Sequence, residues 1–378
     1  MSEDKPQNKK TEKTKRQSWH LLAVLFIVFI LAIVCCFIWQ KHLWNLGSID
    51  ERLAAIDAEL AIPDAENAAV YYIRFLTDPN TAAILDDLSD QTPSAYRKPW
   101  LDIEHPELAA KLKTHRAFIQ TLLDISEMQE ARFPVYPSPD SDSFGVLKNV
   151  RTVTFILSCA AANDLAEDRA EEAHNKYRCQ IQLASHLQQQ PAWYYRLVGI
   201  AIEALASGNI RRAVMWDEIT TEQLRSLENI LEIPPTSNEA AAEVAARVDR
   251  LIEEKERSEL SLTARFKQWF LSRDGRQQRQ QRLHLIHLRL EATRRATPIL
   301  IALRRHKEKT GTWPESLEQI EPKLPEQMLT DPQNNGPFVY KRDVDSFVFY
   351  SKGPNVIDEG GSYSGSADDW PIWPLKIK

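Results

Sequence analysis

Nineteen consecutive residues without a charge, Leu21 to Trp39, constrain this chain more than any other feature. At about 1.5 Å per residue the run is roughly 28 Å long, close to the thickness of a bilayer's hydrocarbon core. Trp19, Trp39 and Trp44 stand where interfacial aromatic residues belong. Lys5, Lys9, Lys10, Lys13, Lys15 and Arg16 precede the run, whereas only Lys41 and Arg52 come closely after it. The positive-inside bias predicts a cytoplasmic basic tail over 1–20, a transmembrane anchor over 21–40 and the remainder outside, at a bacterial inner membrane. A cleaved signal peptide has a shorter apolar stretch ending at a small-x-small site. Here Phe37-Ile38-Trp39-Gln40-Lys41 is bulky throughout, and Val34 stands where a lipoprotein signal needs a small residue before Cys35. The anchor is read as uncleaved.

Glycine divides the rest of the chain. Of 11 glycines, six lie between Gly311 and Gly365, so the chain up to residue 310 is glycine-poor and helical in character. Val150, Val153, Thr154, Leu157 and Ala161 recur at three- and four-residue steps, as do Ala170, Ala173, Tyr177, Ile181 and Ala184. These stripes predict helices over 148–163 and 166–190, turning near Asn163-Asp164. Pro191 ends the second, and Leu197, Ala201, Ala204 and Leu205 predict the buried stripe of a third. Small residues at recurring positions, joined by a short turn, resemble a tetratricopeptide-type helical hairpin. The resemblance covers about 60 residues, from Val150 to about Asn209, and implies packed helical pairs there; a helical domain is expected over 41–235. Thr220-Thr-Glu-Gln223 predicts a capping box for the next helix, which stops before Pro234-Pro235. Cys159 and Cys179 would sit at heights differing by roughly 13 Å across the hairpin, too far to bridge, and are expected unpaired and buried.

From Ser237 the pattern predicts two long helices, 238–272 and 276–309, with 236–298 forming a basic segment. Residues 265–309 hold 13 basic and 3 acidic side chains in a chain whose net charge is −6. Arg273, Arg276, Arg279 and Arg282 suggest nucleic acid by composition, but an address outside the cytoplasm opposes that partner. A solvated face balancing the acidic remainder is the expectation; anionic lipid headgroups or an acidic partner are the alternatives.

Residues 299–378 read as a separate α+β module. A helix ends at Thr310-Gly311, where glycine suits the left-handed cap. Trp313-Pro314-Glu-Ser-Leu317 comes next as a turn, then Leu329-Thr-Asp331-Pro332, then strands Phe338–Lys341 and Phe347–Ser351, and finally Gly353-Pro-Asn355-Val-Ile-Asp358-Glu-Gly360-Gly361. Gly311, Pro314, Leu317, Asp331, Pro332, Tyr340, Tyr350, Ser351, Gly353, Asn355, Asp358 and Gly361 together resemble the C-terminal half of the major pseudopilin of type II secretion. In that family the last loop binds calcium. The resemblance therefore implies a calcium site drawn from Ser351, Asn355, Asp358 and Asp368, with Asp369 as a further candidate. Calcium's demand for six to eight oxygens suits glycine-bent loops that offer carbonyls and a few carboxylates. A solvated acidic turn, with Asx side chains bonded to their own backbone, is the alternative. The family's peptidase glycine and early glutamate are missing from Arg16–Leu21 and the apolar run, so assembly into a pilus core is not expected.

No G-x-S-x-G, P-loop or G-x-G-x-x-G occurs. His284, His287 and Glu291 share a helical face and read as a polar stripe. Glu171-x-x-His174 lacks the second such pair that a di-iron site needs. Trp193-Tyr194-Tyr195 reads as core or a groove edge. The expectation is a mainly α protein, with an N-terminal transmembrane helix, a tetratricopeptide-like outer domain and a small pseudopilin-like module, working by protein interaction or scaffolding in the envelope. An accessory role in secretion or pilus assembly, or a hydrolase with a non-local site, are the alternatives.

Overall fold

The computed structural model describes residues 47–89, 95–136, 143–230, 239–259, 262–321 and 323–374. The apolar run and the basic residues that precede it lie outside them. Among the described residues no helix is long and apolar enough to cross a membrane. The chain divides into two units, Met1–Ile56 and Asp57–Lys378. Helix α1 (Ile49–Leu60) begins in the first. Its start is a capping box: the Ser48 amide donates to Glu51 Oε2 at 2.8 Å and the Glu51 amide to Ser48 Oγ at 3.2 Å.

The second unit is mainly helical. It contains α2 (Ala68–Leu76), α3 (Pro79–Ser89), α4 (Pro106–Thr114), α5 (Arg116–Ser126), α6 (Ser143–Ala166), α7 (Ala170–Gln188), α8 (Trp193–Val214), α9 (Thr221–Ile230), α10 (Glu239–Glu259), α11 (Leu262–Thr310) and the single turn α12 (Glu326–Leu329). Helices α6, α7 and α8 pack as successive antiparallel neighbours, and the expected α6 stripe is buried along its whole length. The hairpin turn falls later than expected, at Glu167–Arg169, with Asp168 left-handed at φ 59°. Asn163 and Asp164 stay helical because their side chains have tertiary partners. Asn163 Nδ2 donates to the Trp100 carbonyl at 3.2 Å, and Asp164 accepts from Arg169 Nε at 2.8 Å and Lys176 Nζ at 2.5 Å. Cys159 and Cys179 are both buried, and no disulfide joins them.

The stripe expected on α8 is out of phase. Ala201 and Ala204 are exposed and Leu197 and Leu205 half-buried, while Gly199, Ile202, Glu203, Ala206 and Asn209 face the interior. Gly199 sets how closely α8 approaches α7: a Cβ there would lie 2.7 Å from the Ala184 carbonyl and 2.9 Å from the Gln188 amide nitrogen. Gly199→Ala should therefore destabilise the fold by about 1–3 kcal/mol, since backbone on both sides must move. An unchanged urea midpoint would show that the two helices separate freely.

The capping box of α9 forms as expected, with the Thr220 amide donating to Gln223 Oε1 at 3.0 Å and the Gln223 amide to Thr220 Oγ1 at 3.2 Å. The two long helices divide earlier than expected, between Glu259 and Leu262, and Gly275 continues inside α11. A single glycine costs a helix only about 1 kcal/mol and need not end it. Gly311 closes α11 at φ 81°, its amide donating to the Lys307 carbonyl at 2.7 Å.

Strands β1 (Val339–Arg342), β2 (Phe347–Ser351) and β3 (Trp370–Trp373) form an antiparallel sheet in that order, with an irregularity at Phe349/Tyr350. The sequence pattern predicts only the first two. Phe338, Phe349 and Ile372 share one hydrophobic core with Ile210, Ile299 and Leu303. Arg211, fully buried on α8, donates to the Ser207 carbonyl at 3.2 Å and to Ile372 O at 3.1 Å, which fixes β3 on the helices.

Candidate metal centre in the C-terminal loop

Two turns frame the end of β2 and the acidic loop that follows it. In the first, Asp331 is buried and accepts from the Gln333 amide at 3.0 Å and Asn334 Nδ2 at 2.6 Å. Ser351, at the end of β2, accepts from Gln333 Nε2 at 2.7 Å and the Gly353 amide at 3.0 Å, and its hydroxyl also bonds Asp331. Its oxygen is thus engaged on every side. In the second, Gly353, Gly360, Gly361 and Gly365 all take left-handed φ between 64° and 75°, and the chain doubles back on itself. Gly353 must be glycine for a second reason: a Cβ would strike the carboxylate and carbonyl of Asp368.

The four residues expected around calcium separate into two groups. Asn355 makes an Asx turn, its Oδ1 accepting from the Ile357 amide at 2.7 Å. Asp358 turns toward the outer face of the sheet, where the Tyr350 hydroxyl donates at 2.6 Å and Lys341 Nζ at 2.9 Å. Those two donors hold its carboxyl well below the usual range, at about 2. Asp368 and its neighbour Asp369 point inward instead. Asp369 is completely buried; its Oδ2 accepts from the Glu359 and Gly361 amides at 2.9 and 2.7 Å, but its Oδ1 has no partner. Asp368 Oδ1 is likewise buried without a partner. Glu359 lies across from both and accepts from the amides of Asp368 and Asp369 at 2.6 and 3.3 Å.

Burial is the main cause that raises both aspartates above the ordinary carboxylate range, and the charge of Glu359 adds to it. An ionised oxygen buried without a donor is costly unless a cation faces it. Asp368 and Asp369 are therefore the two carboxylates of this loop that a cation could face. Among the described residues no three acidic, histidine or cysteine side chains already converge on one ion position, so carbonyls would have to complete the shell. Sequence spacing does not single out Glu359. Only the glycine-driven reversal after Gly360 brings it opposite Asp368.

The other candidate groupings have structural partners. Glu291 pairs with Arg295 at 3.1 Å and Arg294 at 3.6 Å, while His284 and His287 are exposed beside it. His174 Nδ1 lies 2.7 Å from the Ser226 carbonyl, tying α7 to α9. Tyr194 donates to the Val135 carbonyl at 2.9 Å and lies 4.5 Å from the Tyr195 ring. Between α5 and α7 runs a polar groove of about 470 Å³, lined by Gln120, Asp124, Glu127, Asn175, Arg178 and Gln182. No family model, curated protein or solved structure matches this chain.

Proposed function

We propose that the protein is a scaffold tethered to the bacterial inner membrane by Leu21–Trp39, with its helical and C-terminal parts outside the cytoplasm and a calcium ion bracing the loop after β2. The observation that carries the calcium reading is Asp369, a wholly buried carboxylate with one oxygen held by two amides and the other by nothing. Calcium would supply the missing positive charge there, held by Asp368 and Asp369 with loop carbonyls around it. The tether rests on the apolar run and its basic N-terminal flank. The paired helices and the amide-rich groove along α5 and α7 support protein interaction over chemistry.

Titrating calcium into the full-length protein in detergent micelles should release heat, and the melting temperature should exceed that measured in EDTA. Asp369→Asn should abolish both effects and raise the EDTA melt above wild type, because the variant removes a charge that the metal-free loop carries at a cost. No heat and no shift at millimolar calcium would sink the calcium reading. The scaffold reading fails if cross-linking the protein in its own membrane yields no adduct with another protein.

A further inference from the structure

Two guanidinium groups stand side by side on α8, each held in place and neither neutralised. Arg211 is buried, and its acceptors are the Ser207 carbonyl at 3.2 Å and the Ile372 carbonyl at 3.1 Å. Arg212 is half-buried, and its Nη1 donates to Asn209 Oδ1 at 2.7 Å. Asn209 is itself fixed, its Nδ2 donating to Ser158 Oγ at 2.8 Å. Every one of these acceptors is a neutral oxygen. Three arginines of α11 show the contrast, since Arg294 pairs with Glu203, Arg304 with Glu308 and Arg305 with Glu228. Among the described residues neither Arg211 nor Arg212 has a carboxylate partner. Burial is the main cause that lowers both below the ordinary arginine range, and the charge of Arg212 adds to it for Arg211. A buried charge in this condition is costly, and an anion set opposite removes the cost.

Gly208, one turn earlier on the same helix, leaves space beside both groups. A Cβ there would lie 3.7 Å from Arg212 Nη1 and 3.9 Å from Arg211 Nη2. Among the described residues, beyond the helix backbone and the two chain neighbours, nothing else comes within 4 Å of that point. Charge-assisted N–H···O bonds are about 2.7–2.9 Å long, so two nitrogens converging on one point are within reach of a single small oxyanion. We infer that Gly208, Arg211 and Arg212 form a binding site for a dianionic phosphate group, taken as the free ion or as a phosphomonoester. Charge decides the class. Two unneutralised guanidinium groups match the two negative charges that such a phosphate approaches at neutral pH, whereas a carboxylate or a phosphodiester brings only one. The forked N–H groups of arginine also suit a ligand with several oxygens. Glycine admits the ligand where a side chain would stand against both nitrogens.

The test is calorimetric titration of inorganic phosphate, at constant ionic strength, into the full-length protein in detergent micelles, with a thermal melt alongside. Wild type should show saturable binding and a rising melting temperature, because a ligand of the folded state alone stabilises it. Arg212→Gln should weaken the affinity by on the order of tenfold or more, as expected for losing a charged hydrogen-bond donor. Gly208→Ala should abolish binding by filling the space. It should still fold, because alanine is the better helix former and its methyl would make ordinary contact with both nitrogens. That variant separates loss of the site from loss of the fold, which its melt without phosphate reports. Acetate in solution and phosphatidylglycerol in the micelles, each singly charged, should not displace phosphate at equal concentration. Displacement by either overturns the dianion assignment. Absence of saturable binding in wild type overturns the inference, as does wild-type affinity in either variant, since the ion would then sit elsewhere.

Discussion

Replacing Arg294 by methionine should destabilise the protein by about 3–5 kcal/mol, the largest effect expected of any single charged side chain among the described residues. Arg294 on α11 meets Glu203 on α8 through two parallel bonds, Nε to Oε1 at 2.5 Å and Nη2 to Oε2 at 2.6 Å. Gln188 at the end of α7 joins them, its Nε2 donating to Glu203 Oε2 at 2.6 Å. The Glu203 side chain is only 6% exposed. Burial alone would weaken the proton's hold on Arg294, but its bonds to Glu203 and that residue's charge outweigh it and the guanidinium is stabilised. Removing the arginine leaves a buried carboxylate with a single amide donor, which is where the penalty arises. The double change Glu203→Met with Arg294→Met should recover most of the loss, because no orphaned charge remains. Urea unfolding of the wild type, the two single variants and the double variant measures this. A loss below about 1 kcal/mol for Arg294→Met would mean that water reaches Glu203 freely.

Acid should unfold the wild-type protein sooner than a His186→Gln variant. His186 on α7 is fully buried against Tyr72, with ring centroids 5.9 Å apart, and its Nε2 lies 2.9 Å from the Met128 carbonyl. That contact places the proton on Nε2 and leaves Nδ1 buried without a partner. Burial is the main cause that pulls the imidazole down from 6.5 to about 4; the Met128 bond works against it and Arg132 adds to it. The folded value is depressed, so the unfolded chain takes up the proton first. The stability present above pH 6.5 is therefore lost as pH falls through that value toward about 4. The full loss is about 3 kcal/mol. Asp57, Asp249 and Asp331 are raised by burial and act in the opposite sense at the acid end of this window, so the quantity to follow is the difference between variant and wild type. The glutamine amide of the variant can still donate to the Met128 carbonyl. Urea midpoints at about pH 7 and about pH 4.5, either side of most of that titration, that change equally in both proteins would contradict the argument.

Much of the helical architecture is legible in the sequence because it is written in local chemistry. The α9 capping box, the Gly311 cap and the buried face of α6 each depend on residues within a few positions of one another. The α8 stripe escapes such a reading for the reason that makes Arg294 important. Glu203, Asn209 and Arg211 belong to the interior face because they have partners there, and a search for apolar periodicity passes over them. Strand β3 is hidden by Pro371, which ordinarily argues against a strand. It is tolerated because β3 forms the edge of the sheet, next to β2 alone. In the loop, the family resemblance can nominate Ser351, Asn355, Asp358 and Asp368 as oxygen donors. It cannot show that Lys341 and Tyr350 hold Asp358, nor that Asp369 is the residue sealed inside.

The bond from Arg211 to the carbonyl of Ile372 spans 161 positions of sequence. Helix α8 thus carries a buried guanidinium whose acceptor is made long after the helix itself, and the apolar floor under Ile210 stays open until β3 is laid across it. During synthesis α6 to α9 can form early as helices, but the part of their core that includes Ile372 waits for the end of the chain. The last part of this core to close is therefore the part that the downstream end of the chain supplies.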